Sequence, residues 1–366
     1  MAYSYRYNSY VICEKIGVTL VKTREDFLPE APTWLIDNFF PLGHRGMDTA
    51  PEGGYKTVNG SWMGVCIAAG IPYFGHRTYQ GPVVFLNEEI PGEDLDFIID
   101  RFCRGIGRDR KKLPIYTFSM LGYRFERAKM IEFSKIVDAI NPVLIRIDSL
   151  LTMLPSGRQR VSENSDMLGE LIRDELNRLL HPGRSILMAA HGKKQVANLT
   201  LEEVQEQEMQ SMVRGHGSIV GEGCDTGYVL KKISEGFQQS RFCLMTRPRR
   251  KAIPASKPKF IEMVEQGHGS GWARLEEIPM SKLPPSPLAK EVYKIFKIPD
   301  GRGNFNHPTK WIKSTCALLS TKECRVGLYE LLGRHAIVET GPQDFELNQK
   351  RFSQCDAEYL GALEAK

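Results

Sequence analysis

The sequence predicts a doubly wound α/β domain on a mostly parallel sheet, followed by a small helical module that ends in a hairpin. Three observations carry that expectation. Short buried-strand runs, Pro82–Leu86, Val143–Ile147 and Ser185–Ala190, alternate with segments of helical spacing, the pattern of crossover-linked parallel strands. Polar residues gather at the carboxyl ends of those runs: Glu88 and Glu89 after the first, Asp148 after the second, His191 after the third. Open α/β sheets bind ligands at that edge. Finally, the composition breaks at Met280–Pro287 (MSKLPPSP), a Pro-rich linker.

Length and composition set the outer limits. A chain of 366 residues suits one large domain and a small one. With 42% hydrophobic and 25% charged residues it has the balance of a soluble globular protein. The net charge of +5 is mild but uneven, with basic runs at Arg101–Lys112 and Arg247–Lys251. Each is either a solvated face or a contact for an anionic partner. The eight cysteines form no C-x-x-C pair, so neither a zinc site nor a disulfide framework is indicated, and reduced thiols are expected. The first residues, MAYSYRYNSY, hold no apolar signal core, and no stretch is long enough to span a bilayer. A cytoplasmic protein with no membrane partner is the expectation.

The elements follow in order. Residues 1–30 read as a lead-in with one short strand, Gly17–Val21. The main domain is expected over residues 31–279. Trp34–Phe40 is apolar and stops at the turn Pro41-Leu42-Gly43. His44–Thr49 (HRGMDT) stands where a buried strand should enter the following loop, and it is unusually polar for that place. Trp62–Gly70 reads as a buried helix, Asp94–Phe102 carries helical spacing, and Ile115–Phe118 is a short strand. Met130, Phe133, Val137 and Ile140 share one helical face, as do Leu168, Leu171, Ile172, Leu176, Leu179 and Leu180. Asn198–Ser211 is polar and acidic, a loop or an exposed helix, and Val213–Gly227 is rich in glycine. Tyr228–Ile233, Arg241–Thr246 and Lys259–Val264 read as closing strands. In the last domain, 288–366, the segments Leu288–Phe296, Pro308–Leu319 and Lys322–Leu332 read as helices, and Ala336–Thr340 pairs with Asp344–Leu347 around Gly341-Pro342. Three helices and a hairpin suggest a winged-helix-like module, with a structural cap or oligomer contact as the other reading.

The chemistry concentrates in Ala50–Thr57, APEGGYKT. A phosphate loop needs flexible residues so that backbone N–H groups can close around an anion, then a lysine and a hydroxyl at a helix start. Gly53 and Gly54 supply the flexibility, Lys56 the cation and Thr57 a candidate Mg²⁺ ligand. The common pattern G-x-x-x-x-G-K-[ST] has glycine where this chain has Ala50 and Tyr55. Phosphoryl transfer also asks for a carboxylate near the metal and a group that orients water. Asp148 is placed for the first, Glu88 or Glu89 for the second, and His191 could sense the γ-phosphate. Lys193, Lys194 and Arg214 are candidate charges for a neighbouring subunit's nucleotide.

Taken together, APEGGYKT, GPVVFLNEE, PVLIRIDSL, SILMAAHGKK and VRGHGSIVGEGCDT resemble, over about residues 31–265, the RecA-like ATPases of the plasmid RepA hexameric replicative helicase type. The resemblance implies a RecA-like fold and ATP hydrolysis with Mg²⁺ by a ring of subunits, a homo-oligomer expected as a hexamer, around single-stranded DNA. It gives Gly53, Gly54, Tyr55, Lys56 and Thr57 as the nucleotide loop, Thr57 and Asp148 as the metal positions, Glu89 in preference to Glu88 as the catalytic carboxylate, His191 as the sensor and Arg214 as the finger-like position. Tyr55 is tolerable there if its side chain points away from the phosphates. The C-terminal module lies outside the resemblance; duplex DNA is a possible partner for it. The expected function is an ATP-dependent DNA motor of plasmid, phage or mobile-element replication. Two other readings stand beside it: a non-hydrolysing DNA-binding initiator on the same scaffold, and a regulatory ATPase that acts on protein partners.

Overall fold

A computed structural model of the chain describes residues 10–13, 18–21, 34–154, 165–199, 204, 207, 209–213, 224–236, 239–248, 258–267, 271–279, 287–296, 331, 337–341 and 344–347. The chain divides into two compact units, Met1–Glu277 and Ile278–Lys366.

In the first unit, strands β1 (Tyr10–Cys13) and β2 (Val18–Val21) pair antiparallel, as do β3 (Trp34–Ile36) and β4 (Phe40–Pro41). The main sheet begins with β5 (Arg45–Ala50), which leads through the candidate phosphate loop into α1 (Lys56–Ala69). There follow β6 (Val83–Asn87), α2 (Gly92–Gly105), β7 (Ile115–Ser119), α3 (Arg127–Ile140), β8 (Leu144–Asp148), α4 (Ser165–Leu179) and β9 (Ser185–His191). Strands β10 (Thr226–Gly236), β11 (Gln239–Pro248), β12 (Lys259–Gln266) and β13 (Trp272–Ile278) complete the sheet, in the spatial order β13-β12-β11-β10-β5-β9-β8-β6-β7. From β10 to β7 every pairing is parallel, whereas β11 runs antiparallel to both β10 and β12. This mostly parallel sheet with crossover helices is consistent with a RecA-like α/β fold.

The strands form where the sequence is apolar on both faces. Strands β6 and β8 are buried along their whole length, and β9 is buried up to Ala190, as parallel strands covered by helices must be. Helix α1 is buried on most of its surface because small residues let it approach the sheet. A Cβ on Gly64 would lie 2.5 Å from the Phe85 ring, and one on Gly60 would lie 2.6 Å from Arg146 Nε. The helix stops at Gly70, whose φ of 67° suits glycine and turns its N–H back to Ile67.

Strand β5 corrects one expectation. HRGMDT is polar, yet Arg45–Ala50 is the buried strand that feeds the loop, and it lies between β10 and β9. Two of its buried polar side chains, Asp48 and Arg45, find partners on other elements. Asp48 accepts a hydrogen bond from Arg146 at 2.7 Å, and Arg45 donates to Asn177 at 3.1 Å while its backbone N–H donates to Asp225 at 3.0 Å. Strand β13 is a second correction: WARLEEI adds a strand that the sequence reading passed over.

The basic run Arg101–Lys112 is half neutralised. Arg101 pairs with Glu265, Arg104 with Asp100 and Arg110 with Asp96, while Arg108, Lys111 and Lys112 are exposed with no ion pair among the described residues. The second run, Arg247–Lys251, lies outside the described side chains, as does most of Asn198–Ser211. Cys66, Cys103, Cys224 and Cys243 are buried and take part in no disulfide among the described residues. Among the described residues no helix is long and apolar enough to cross a membrane.

The second unit contains helix α5 (Pro287–Phe296), which buries Ala289, Val292 and Tyr293 at helical spacing, and the hairpin of β14 (Ile337–Gly341) with β15 (Asp344–Leu347). The expected helices at Pro308–Leu319 and Lys322–Leu332 lie outside the described residues, except for the buried helical Leu331.

The contact between α1 and the sheet yields a test. Gly64→Ala gains about 1 kcal/mol of helix propensity but forces a methyl into the Phe85 ring, and overpacking of that kind costs about 1–3 kcal/mol. A net loss of stability by urea unfolding is the expected result.

Candidate functional site

The loop from Ala50 to Thr57 shows how this chain manages with the departures from the common glycine pattern. Ala50 ends β5 fully buried, and its methyl has room only because Gly54 lacks one: a Cβ on Gly54 would sit 2.4 Å from that of Ala50 and 2.7 Å from the Pro51 carbonyl. Gly192, after β9, answers a separate constraint, since a Cβ there would lie 2.9 Å from the Ala50 carbonyl carbon, a backbone contact that does not depend on the side chain at position 50. Its N–H donates to the Ala50 oxygen at 2.7 Å. Gly53 adopts φ 72°, a conformation open to glycine at little cost.

Tyr55 is the helix N-cap residue, with φ 65°. That conformation costs a non-glycine residue roughly 1–2 kcal/mol. An aromatic stack offsets it: the Tyr55 ring lies on Phe242 of β11, centroids 5.3 Å apart and planes 16° apart, and Lys232 Nζ is 5.8 Å from the ring centroid. The ring thus packs on β10 and β11, which leaves the backbone of the loop to form the helix start.

Four strands then bring the polar side chains together. The Thr57 hydroxyl donates to Asp148 Oδ2 at 2.7 Å, across 91 residues of sequence. Lys56 is buried, and its ammonium donates to the Ala50 carbonyl at 3.4 Å. Glu89 Oε2 lies 3.4 Å from His191 Nε2. Glu88 goes elsewhere. Its buried carboxylate accepts the backbone N–H groups of Leu121, Gly122 and Tyr123 at 3.0–3.1 Å, and Arg124 stands 3.9 Å away. Three hydrogen bonds thus commit Glu88 to holding the loop after β7. Of the flanking cations, Lys193 and Lys194 are exposed, and Arg214 lies outside the described residues.

Several contributors were not found in the sequence. Asn87 builds the turn that carries Glu89: its side-chain oxygen accepts the N–H groups of Glu89 and Ile90 at 3.3 and 3.2 Å, and its amide donates to the Ile90 carbonyl. Arg146 lies beneath the loop with 1% of its side chain exposed, 2.7 Å from Asp48 and 3.9 Å from Asp148, and it donates to the Lys56 carbonyl at 3.3 Å. A charged residue inside each of two buried strands, Asp48 and Arg146, was the available signal.

Charge is distributed unequally over the acids. The hydrogen bond with His191 holds the Glu89 carboxyl down at about 2, against burial, with Ser149 and Lys56 assisting. Burial pushes the carboxyls of Asp48 and Asp148 up, opposed in both by Arg146. Glu89 is therefore the acid suited to stay ionised as a proton acceptor.

The donor set fits a magnesium ion held with a nucleotide. Thr57 offers a hydroxyl, and Asp148 Oδ1 is buried with no hydrogen-bond partner among the described residues. Among the described residues no group of three or more His, Cys, Asp and Glu could hold a metal alone. Magnesium in nucleotide sites keeps several waters and uses one or two protein oxygens plus phosphates, so a sparse set is the appropriate one.

Residues 17–197 match the family model of the AAA domain. That span contains the phosphate loop, Glu89, Asp148 and His191, and the match supports a P-loop ATPase class of domain. Among solved structures, a KaiC-like protein from the hyperthermophilic archaeon Pyrococcus horikoshii is similar at 17% identity and a TM-score of 0.41, over 67% of this chain and 94% of that one. No curated protein sequence matches.

Two measurements follow from this geometry. Gly54→Ala places a methyl inside the Ala50 contact, and nucleotide affinity measured by calorimetry is expected to fall at least tenfold, about 1.4 kcal/mol. Glu89 has a lowered pKa in the folded chain, so the folded state binds fewer protons than the unfolded one between the ordinary 4.5 and about 2. The stability this pair supplies is complete above that window and is lost as pH falls through it. His191→Gln should move the Glu89 carboxyl back toward its ordinary value in a carbon-13 NMR titration.

Proposed function

We propose that the chain is an ATP-hydrolysing motor that acts on single-stranded DNA as a ring of subunits, in the manner of a replicative helicase of a plasmid, phage or mobile element. The observation that carries hydrolysis is the Thr57–Asp148 contact of 2.7 Å beside buried Lys56 at a helix start, with Glu89 held by His191. Hydrolysis needs charge on the phosphates, a metal position and an oriented water, with little covalent chemistry from the protein.

The roles divide as follows. The N–H groups around Gly53 and Gly54 and the start of α1 receive the phosphates, and Lys56 exchanges the Ala50 carbonyl for a phosphate oxygen. Thr57 and Asp148 would hold Mg²⁺, which supplies charge neutralisation for the β- and γ-phosphates. Glu89 accepts the proton of the attacking water, and His191, its partner at 3.4 Å, is the residue we assign to sensing the γ-phosphate. Arg214, Lys193 and Lys194 are the residues we assign to the neighbouring subunit's nucleotide.

The DNA part of the proposal rests on the resemblance of the ordered motifs to hexameric replicative helicases. The second unit has a helix, α5, and the hairpin of β14 and β15, the kinds of element a winged-helix-like C-terminal domain would use as a second DNA contact. A cytoplasmic setting accords with cysteines that take part in no disulfide among the described residues. The other reading, a DNA-binding initiator that does not hydrolyse ATP, draws on Ala50 and Tyr55; the accommodation of the first by Gly54 and of the second by Phe242 weakens it.

ATP turnover with and without single-stranded DNA, on the natural protein and on Lys56→Ala, is the deciding experiment. Turnover stimulated by DNA and reduced about 10²–10³-fold in the variant is the expected result, the scale for losing one preorganised charge. DNA binding with no turnover in either protein would overturn the motor.

A further inference from the structure

We propose that Arg146 is an internal counter-cation to Asp148, a positioning residue that sets how tightly the site takes up a divalent cation; the proposal rests on the nucleotide reading above. Registered neighbours in a sheet point to the same face. Phe85 is paired with Arg146, Arg146 with Leu187, and Asp48 with Ala189, so Asp48, Arg146 and Asp148 all lie on the face that α1 covers. Strand β9 stands between β5 and β8, and it presents only the methyl of Ala189 beside Asp48. That small side chain leaves the guanidinium free to reach across a whole strand.

Arg146 therefore serves two carboxylates unequally. It is 2.7 Å from Asp48 Oδ1 and 3.9 Å from Asp148 Oδ2, the same oxygen that accepts the Thr57 hydroxyl. Its remaining contact is the Lys56 carbonyl, the first residue of the phosphate-loop helix. Gly60 yields the space the head group needs. A guanidinium keeps its charge under all conditions the fold survives. It repels any divalent cation that comes to Asp148, and Asp48 restrains it from approaching further. The Asp48–Arg146 separation thus tunes the cation affinity of an acid that neither of them needs for its own burial.

A purely structural brace and a counter-cation predict different patterns. If Arg146 only braces strands, every change in the pair loosens the site. If it acts as a counter-cation, two changes have opposite signs. In D48L/R146M the repulsion is gone together with the charge of Asp48 and the support Arg146 gives to an ionised Asp148, so uptake is compared at a pH that keeps this carboxyl ionised in every variant. Apolar replacement of a buried ion pair is tolerated in general. In D48N the guanidinium loses its ionised partner and moves onto Asp148.

The test is a titration of the full chain with Mn²⁺ in the presence of ADP, following free Mn²⁺ by electron paramagnetic resonance, with ADP affinity in EDTA and circular dichroism as controls. We expect D48L/R146M to bind Mn²⁺ about tenfold more tightly than the natural protein and D48N about tenfold more weakly, the scale of moving one charge near a partly screened site. Both variants weaker, or both unchanged, overturns the counter-cation. Should D48L/R146M fail to fold, D48N decides: weaker Mn²⁺ uptake at unaltered ADP affinity in EDTA supports the proposal, and unaltered Mn²⁺ uptake overturns it. A natural protein that binds neither ADP nor Mn²⁺ overturns the nucleotide reading as well.

Discussion

The structure depends on a guanidinium buried in the middle of a parallel sheet. Taking such a charge out of water costs several kcal/mol, and the cost is recovered only if good geometry and further hydrogen bonds surround it. Arg146 has the Asp48 carboxylate at 2.7 Å and the Lys56 carbonyl at 3.3 Å. Because those partners belong to β5 and to the first turn of α1, the requirement to satisfy one charge fixes the strand, the helix and the loop between them in a single arrangement. Glycine at position 60 and alanine at 189 follow from the same requirement, since a larger residue at either would stand where the head group passes.

The loop illustrates how a packing rule can survive a change in sequence pattern. What the phosphate loop needs is close backbone approach between the end of β5, the turn before α1 and the end of β9. Glycine at the first loop position is one way to obtain it. Here Ala50 holds that position, and the Cβ that is missing in exchange is that of Gly54, while Gly192 lets the end of β9 approach the backbone of Ala50. Tyr55, by the same logic, is accepted because Phe242 lies under its ring on a neighbouring strand. The constraint belongs to the space between three segments, so reading one segment at a time misplaces it.

This explains which parts were legible in the sequence. Strands β6, β8 and β9 and helices α1 to α4 announce themselves through apolar runs and helical spacing, which are local properties. The order of Lys56, Glu89, Asp148 and His191 at strand ends is also local, and the sheet brings them to one edge. Partnerships are different. Asp48 and Arg146 are 98 positions apart, and each alone contradicts a buried strand. Only together do they permit β5 to be one. Glu88 and Glu89 are the same residue type in adjacent places, and composition offers no means of separating them. Their surroundings do: Glu88 meets three backbone N–H groups of the loop after β7, while Glu89 sits on the turn that Asn87 builds and meets His191. Strand β13 escaped notice because three of its seven residues are charged and two of those are exposed, which blurs the alternation that marks a strand.

The groups that would handle a nucleotide are already hydrogen-bonded to one another. Lys56 is on the Ala50 carbonyl, Thr57 on Asp148, and Glu89 on His191. An entering triphosphate must exchange each of these contacts for one of its own. The net worth of an ordinary hydrogen bond in folding is only about 1 kcal/mol, and contacts to ionised groups are about twice as strong as neutral ones. Exchange at Lys56 replaces a carbonyl with an anion and is favourable by that difference. Exchange at Glu89 is not of this kind, because the carboxylate already has the imidazole beside it and a γ-phosphate adds a second anion. On the proposed reading, a phosphate that drew His191 toward itself would free Glu89 for water, so that occupation of the γ-position and activation of the base would be one event. The pair of side chains at 3.4 Å would then be a physical reason for hydrolysis to wait for a triphosphate.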